Sequence, residues 1–480
     1  MPAFPAVQCQ KIRPNGAAVE SPAIWRHRAG RAVGVDAAGR FQWSGRHYDG
    51  CLLIVVCEPQ CKAFSHEKFN SGFLYGLRLA FPEERLCFYG DASHIDSLRK
   101  ILAHDKVSIE NIEYVPVRFR IRPGILRLIG YQRLLSSVLS EVRSAGSDKV
   151  FFLSFNPEIL YSLKRLKQKI AFRTMKFTLV LHGGFESIAD GDVRAKAEAP
   201  SRSFRERGIV EKIRRTKLAD LPAKALTVCL RAAERAFSPW HAISRRFLTE
   251  TKMLLWKHSD DFRYICLSPH VRLNARRYLD VERLNFHTVT LPMVFADITP
   301  RPHNEFAKFA MFGYGDSLAL GGLLTDLASR KIDSPYEIRV VGMDNRGIEG
   351  FAHVTCPSPG KPLERSDMES YAMDIDMFLI LYDKTRYRLS CSGSILESLS
   401  YLKPVLHLDN ECVNSFNKEK KPIGIRCDSL HMLADKLQEI VEGYADYGPV
   451  LDVFRENMLE VRRACSVEKS VGALRASFTW

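Results

Sequence analysis

Short apolar runs recur along the chain, separated by longer stretches of mixed character. In the first half they fall at residues 51–57, 86–90, 149–154, 177–182, 263–268 and 286–291. These runs are apolar almost throughout and do not alternate. That is the pattern of strands buried on both faces, as in a parallel sheet. The segments between them include helical periodicity, as at 157–170. Strand, helix, strand, repeated, predicts a doubly wound α/β domain. The second half repeats the scheme, with strands predicted at 306–313, 336–342, 376–382, 404–408 and 422–426. Helices are expected between them at 318–330, 366–373, 394–402 and 429–444, and an amphipathic one at 450–465. Three prolines within residues 291–303 mark the break between the halves. The expected organisation is an irregular extension over 1–45, an α/β domain over 46–296 and a second over 297–480. One large α/β domain with an insertion is the alternative arrangement.

A length of 480 residues allows each half a full core. No apolar run approaches the roughly 20 residues needed to cross a bilayer. The N-terminal residues lack a charged stretch leading into an apolar one, so no secretory signal is expected and the cytoplasm is the expected location. The twelve cysteines contain no C-x-x-C pair and several sit inside apolar strands, which favours reduced thiols over a disulfide framework. Composition changes the picture at one point: the net charge is +15. Such an excess attracts phosphate groups on a nucleotide, a nucleic acid or an anionic lipid. Part of it is concentrated in a basic stretch over 190–257.

Ligands of doubly wound sheets bind beyond the carboxyl ends of the strands, so the residues after each strand carry the candidate chemistry. Gly313, Tyr314 and Gly315 follow the first strand of the second half, where glycines expose amide groups to a phosphate; a plain tight turn explains them equally well. Gly342 ends the next strand. The fullest set follows the strand at 376–382: Lys384, Arg386 and Arg388, then Ser390, Ser392, Gly393 and Ser394, with Glu397 one turn into a helix. Cations, hydroxyls and a helix start together suit a diphosphate, and a carboxylate there can accept from a ribose diol. A basic surface loop before an N-capped helix is the structural alternative. In the first half, His182 precedes two glycines at a strand end, where it can contact a sugar or place an acceptor, or serve as an ordinary buried histidine. Asp374 and Asp376 have metal-binding spacing but sit before their strand, the wrong end for a ligand, so no metal is expected.

In this order the second half resembles the nucleotide-sugar-binding domain of GT-B glycosyltransferases of the glycogen-synthase-like (family 4-type) superfamily. The resemblance runs over most of residues 305–427. It is carried by the glycine loop at 309–315, the Val-Gly strand end at 336–342, Ser366-Asp367 with Tyr371, and Ser392-Gly393…Glu397…Lys403-Pro404-Val405. The first half resembles the acceptor domain more loosely, through His182-Gly183-Gly184 and Leu267-Ser268. The resemblance implies two Rossmann-like domains facing across a cleft. The family often carries two glutamates eight positions apart; Glu397 matches the second, and Leu389 stands at the first. The arginine and lysine that many members carry after the first glycine loop are also missing.

The implied activity is sugar transfer from a nucleotide-sugar donor to a glycan or lipid-linked acceptor in bacterial surface polysaccharide or glycoconjugate synthesis. Retention at the anomeric carbon follows from the resemblance, and no cofactor is expected. His182, Arg386, Arg388 and Glu397 are the expected catalytic residues, with Arg386 and Arg388 facing the leaving diphosphate. Basic and aromatic residues interleaved over 201–257 suit contact with an anionic membrane, on the inner face of the cytoplasmic membrane, or form ordinary solvated helices. Two rivals stand beside this reading. One is a catalytically inactive scaffold, permitted by Leu389. The other is a basic nucleic-acid-binding protein, against which the lack of any recognised motif counts, so no nucleic-acid partner is expected.

Overall fold

The structure is a computed structural model of the chain. It describes residues 34–35, 41–42 and 53–480, except 110, 118–124, 184–185, 187, 189–249, 257–258, 296–297, 299–302, 314–315, 343–347, 349 and 359–362. Residues 1–51 and 52–480 are two separate compact units. Within the first, strands β1 (Gly34–Val35) and β2 (Phe41–Gln42) pair antiparallel.

The first sheet has seven strands: β3 (Leu53–Glu58), β4 (Arg85–Gly90), β5 (Ile112–Pro116), β6 (Lys149–Phe152), β7 (Lys176–Val180), β8 (Phe262–Cys266) and β9 (Phe286–Thr288). Their order is β5-β4-β3-β6-β7-β8-β9, and every pair is parallel. Around it lie α1 (Glu67–Ala80), α2 (Ala92–His104), α3 (Ile125–Ser144), α4 (Pro157–Lys167), α5 (Glu250–Leu255) and α6 (Pro269–Ala275). Local chemistry starts these helices where the sequence allows. The Asp91 carboxylate accepts from Ser93 N ahead of α2, and Asn156 from Ile159 N ahead of α4, whose first residue is Pro157.

The second sheet has six: β10 (Ala307–Phe312), β11 (Tyr336–Val341), β12 (Val354–Thr355), β13 (Met377–Ile380), β14 (Val405–Leu408) and β15 (Gly424–Cys427), ordered β12-β11-β10-β13-β14-β15 and again all parallel. Its helices are α7 (Ser317–Ala328), α8 (Arg365–Met373), α9 (Gly393–Tyr401), α10 (Glu411–Phe416), α11 (Leu430–Glu442) and α12 (Tyr444–Ala464), with α13 (Val467–Phe478) ending the chain. In each sheet the first strand lies inside and the chain winds outward one way, then crosses to wind the other. The switch points therefore lie between β3 and β6 and between β10 and β13.

Met293 N donates to Cys465 O (3.1 Å), so the linker and the end of α12 cross between the sheets side by side. From there α13 packs on the first sheet's α1. The approach is close: a Cβ on Gly76 would lie 2.6 Å from Leu474, and one on Gly72 would lie 2.0 Å from the carbonyl oxygen of Pro292. Arg475 donates to Ala80 O, and the Phe478 ring stacks near Phe81 and Phe151. The last helix of the chain thus belongs by packing to the first sheet, although the sequence assigned everything after 297 to the second domain.

Of the basic stretch 190–257, only 250–256 is described. Leu254 is fully buried there, and Trp256 stacks on Tyr161 with ring centroids 5.2 Å apart. Both residues serve the first domain's core. Apart from Lys252 and Trp256, the basic and aromatic residues of 201–257 lie outside the described residues. No helix among the described residues is long and apolar enough to cross a membrane.

Candidate functional site

The cleft wall of the first sheet begins with a buried carboxylate. Glu58, the last residue of β3, accepts from the amides of Gln60 (2.9 Å) and Cys61 (3.1 Å), from Asn70 Nδ2 (3.3 Å) and from the Ser154 hydroxyl. Buried carboxylate oxygens are kept only when so hydrogen-bonded. It ties the loop after β3 to α1 and to the end of β6, across the switch point. His94 fastens the same loop, its Nδ1 lying 2.8 Å from Ala63 O.

This loop delivers His66 to the start of α1. Its Nδ1 lies 2.6 Å from Nε2 of His182, which follows β7, and Phe69 packs against the His182 ring. Burial, reinforced by the neighbouring His66, pushes His182 well below the usual histidine range. Burial lowers His66 also. Two neutral imidazoles sharing one hydrogen bond leave one N–H and one lone pair between them for a ligand.

The second sheet supplies the opposite wall. Arg365, the first residue of α8, forms a two-pronged pair with Glu397 of α9, at 2.9 and 3.1 Å. Burial works against the Arg365 charge, but Glu397 outweighs it and its pKa is raised. The field of both reaches α1: burial raises the Glu67 carboxyl to about 7, with Arg365 opposing the rise and Glu397 adding to it. Because this pKa is higher in the folded than in the unfolded chain, Glu67 contributes stability below its unfolded pKa that is lost as pH rises through about 7. Melting temperatures measured from pH 5 to 8 should show this loss in the parent, and Glu67→Gln should remove that part of the pH dependence. An identical profile in the variant contradicts the assignment.

The loop after β13 is held from both sides. Glu186, beyond the His182-Gly183 turn, accepts from Arg388 N (3.2 Å), Leu389 N (2.8 Å) and the Ser390 hydroxyl (2.7 Å). From α6, His270 Nε2 lies 3.2 Å from the carbonyls of Tyr387 and Ser390, and Asn274 donates to Arg388 O (3.0 Å). From beyond β14, Asn410 donates to Asp383 O and Arg386 O. Leu389, where the resemblance led us to look for a glutamate, is buried among core residues of the first domain.

The predicted residues therefore distribute as follows. Gly313 and Gly342 close β10 and β11, and nothing lies within 4 Å of where a Cβ on either, or on Gly393, would stand. Tyr314 and Gly315 lie outside the described residues. Ser394 Oγ reaches Phe312 O (3.2 Å) and joins the start of α9 to the end of β10, while Ser392 Oγ accepts from Ser394 N and lies 3.2 Å from the Tyr382 hydroxyl. Lys384 is drawn to Asp409 (2.9 Å), and Arg388 Nε folds back on Lys384 O (3.3 Å). Arg386 is the loosest cation of the three, half exposed and 3.5 Å from Asp316. Asp316 in turn accepts from Leu318 N and Ala319 N, so the start of α7 already has its anion. Glu397 faces Arg365, and His182 pairs with His66 beyond the carboxyl end of β7.

His66, Glu67, Glu186, His270 and Arg365 were not among the predicted residues. Inspecting the ends of β3 and β8 as closely as those of the other strands brings out His66 and His270. Glu186 and Arg365 carry no such signal, because their partners are distant in sequence. The Asp374 and Asp376 carboxylates are engaged at the opposite end of β13, Asp374 with Lys308 and Arg339, Asp376 with Asn304 and Lys308 N. Among the described residues no group of three or more histidine, cysteine or acidic side chains is placed to hold a metal ion.

Two doubly wound parallel sheets with facing switch points, a crossing linker and a returning C-terminal helix define the GT-B fold. Solved structures with this fold resemble the chain throughout. Alr3699/HepE of Anabaena in complex with UDP-glucose matches 89% of this chain and 99% of its own, at 10% identity and a TM-score of 0.52. A glycosyltransferase from Rickettsia africae matches 89% of this chain and 97% of its own, at 11% identity and a TM-score of 0.50. At such identities the likeness is one of fold. No protein-family model matches the chain, and no curated protein matches its sequence.

Proposed function

We propose that this protein is a glycosyltransferase of the glycogen-synthase-like type, moving a sugar from a nucleotide-sugar donor to a glycan or lipid-linked acceptor in bacterial surface polysaccharide or glycoconjugate synthesis. One observation carries the reading: the switch points of two doubly wound sheets meet, with a cation-bearing loop and an open helix start on one side and a neutral histidine pair on the other. The donor diphosphate takes Arg386 and the amides at the start of α9, where Gly393 leaves open space. Glu397, oriented by Arg365, accepts from a donor hydroxyl. The acceptor lies toward His182 and His66.

As the anomeric bond breaks, negative charge grows on the diphosphate, and fixed donors and a cation stabilise it there. In a retaining, front-face transfer the leaving phosphate takes the acceptor proton, so the site needs no carboxylate base. The reaction then requires no metal. On this reading the protein works in the cytoplasm, at the inner face of its membrane, without a nucleic-acid partner. A second reading, an inactive scaffold, is favoured by Leu389 buried where a carboxylate was expected. Release of nucleoside diphosphate from nucleotide sugars, assayed with glycan and lipid-linked acceptors, separates the two. We expect acceptor-dependent release that persists in excess chelator. Donor binding without release selects the scaffold, and abolition by chelator overturns metal independence.

A further inference from the structure

A pocket of about 1030 Å³ opens between α6 of the first domain and α10 and α12 of the second. It stands behind the 386–390 loop, on the side from which His270 and Asn274 hold the loop's carbonyls, and so is distinct from the donor space before that loop. Its volume is at the upper end of the range for small-molecule sites. Two features coincide in its lining. One wall is apolar, built from Leu273, Phe416, Val461 and Ala464, and the Leu273 side chain is 61% exposed. The rim is basic: Arg272, Arg276, Arg277, Lys418 and Lys421 stand against the carboxylates Glu411 and Glu460 and against Glu282, which Arg272 and Arg276 share, a net charge of +2.

A sugar would leave the leucine wall wet, and a neutral lipid would leave the cations unused. An inorganic anion would satisfy only the rim. An occupant with both a hydrocarbon chain and an anionic head uses both features. Arg277 pairs with Glu411 and Lys421 with Glu460, while Arg272 and Arg276 share Glu282. Arg276 is 54% exposed and its partner Glu282 is 63% exposed, a pair of little net strength, and Lys418 pairs with no carboxylate among the described residues.

We propose that this pocket binds an amphiphile with a phosphate head, its chain lying on Leu273, Phe416 and Val461 and its phosphate between Arg276 and Lys418. The proposal goes beyond glycosyl transfer and does not depend on it. The chemistry is that of a lipid phosphate. Because α6 also holds the 386–390 loop, an occupant would bear on the position of that loop.

The test is calorimetric titration of the full chain with dodecyl phosphate below its micelle concentration, beside dodecyl maltoside and inorganic phosphate. We expect saturable binding of dodecyl phosphate at one site, and at least about tenfold weaker binding of the other two. Leu273→Asp and the pair Arg276→Glu with Lys418→Glu should each weaken dodecyl phosphate by about tenfold or more with unchanged melting temperatures, since all three positions are exposed. Equal affinity for dodecyl maltoside removes the phosphate head from the proposal, and equal affinity for phosphate removes the chain. No saturable binding, or parent affinity in both variants, overturns the site.

Discussion

Glu397→Ala is expected to destabilise the protein by about 2–3 kcal/mol, in addition to any effect on ligand binding. Both carboxylate oxygens bond Arg365, and the two side chains are only 15% and 14% exposed. Removing one member of a buried pair strands the other charge, at a cost of about 3–5 kcal/mol in a dry interior. Glu369, 3.7 Å from Arg365, and the residual exposure reduce that figure here. Glu397→Gln keeps the shape and should cost less. Replacing the pair together, Arg365→Met with Glu397→Leu, should recover most of the loss, because no charge is then left unpaired. Urea unfolding of the four proteins measures this. An unchanged midpoint in Glu397→Ala would mean that the pair contributes nothing to the fold. Donor affinity of the double variant, compared with the parent, then reports on Glu397 as a ligand free of the folding penalty.

Arg386→Ala should weaken nucleotide-sugar binding by about one to two powers of ten. A hydrogen bond to a charged group contributes about 1.5–3 kcal/mol, and each 1.4 kcal/mol is about tenfold in affinity. Arg386 is singled out by what its neighbours are doing. Lys384 is committed to Asp409, and Arg388 is folded onto the backbone of its own loop. Arg386 has only a 3.5 Å contact with Asp316 and is 49% exposed, so exchanging that partner for a phosphate costs little. The same exposure predicts an unchanged melting temperature. Lys384→Ala should change donor affinity by less than about threefold, because its charge already has Asp409 as its partner. Calorimetric titration of the variants decides this, and parent-like affinity in Arg386→Ala removes the loop as the diphosphate site.

The strands of both sheets were readable because central parallel strands are apolar on both faces, as residues 53–58 and 377–380 are. The edge strands β5 and β12 escaped for the converse reason: Ile112, Glu113 and Tyr114 are half exposed, and β12 is two residues long. The amphipathic pattern predicts a helix over 450–465, but α12 begins at Tyr444 and runs through Pro449. That α13 returns to α1 could not be read locally, since it depends on Gly72 and Gly76 admitting the linker and Leu474.

In the site, the residues grouped in the sequence after β13 do lie together, because one loop carries them. What the sequence could not give was their engagement. Ser390 looked free and is bonded to Glu186, more than two hundred residues earlier. Glu397 looked like a bare carboxylate and carries Arg365. Leu389 looked like a lost catalytic group and packs in the first domain's core, while Glu186 brings a carboxylate to the amides of Arg388 and Leu389 from the opposite wall. Such pairings depend on which strand ends face one another, which periodicity does not report.

The central claim is that the facing switch points hold a nucleotide sugar, and the most direct test is the melting temperature of the intact chain across a panel of nucleotide sugars. A ligand that binds only the folded state must raise it, by about 2.7 kcal/mol of stability at one hundred times its Kd. The account predicts that at least one nucleotide sugar raises the melting temperature, that its nucleoside diphosphate does so less, and that Arg386→Ala abolishes most of the shift. A panel without any stabilising member, or a shift that survives intact in Arg386→Ala, would contradict it.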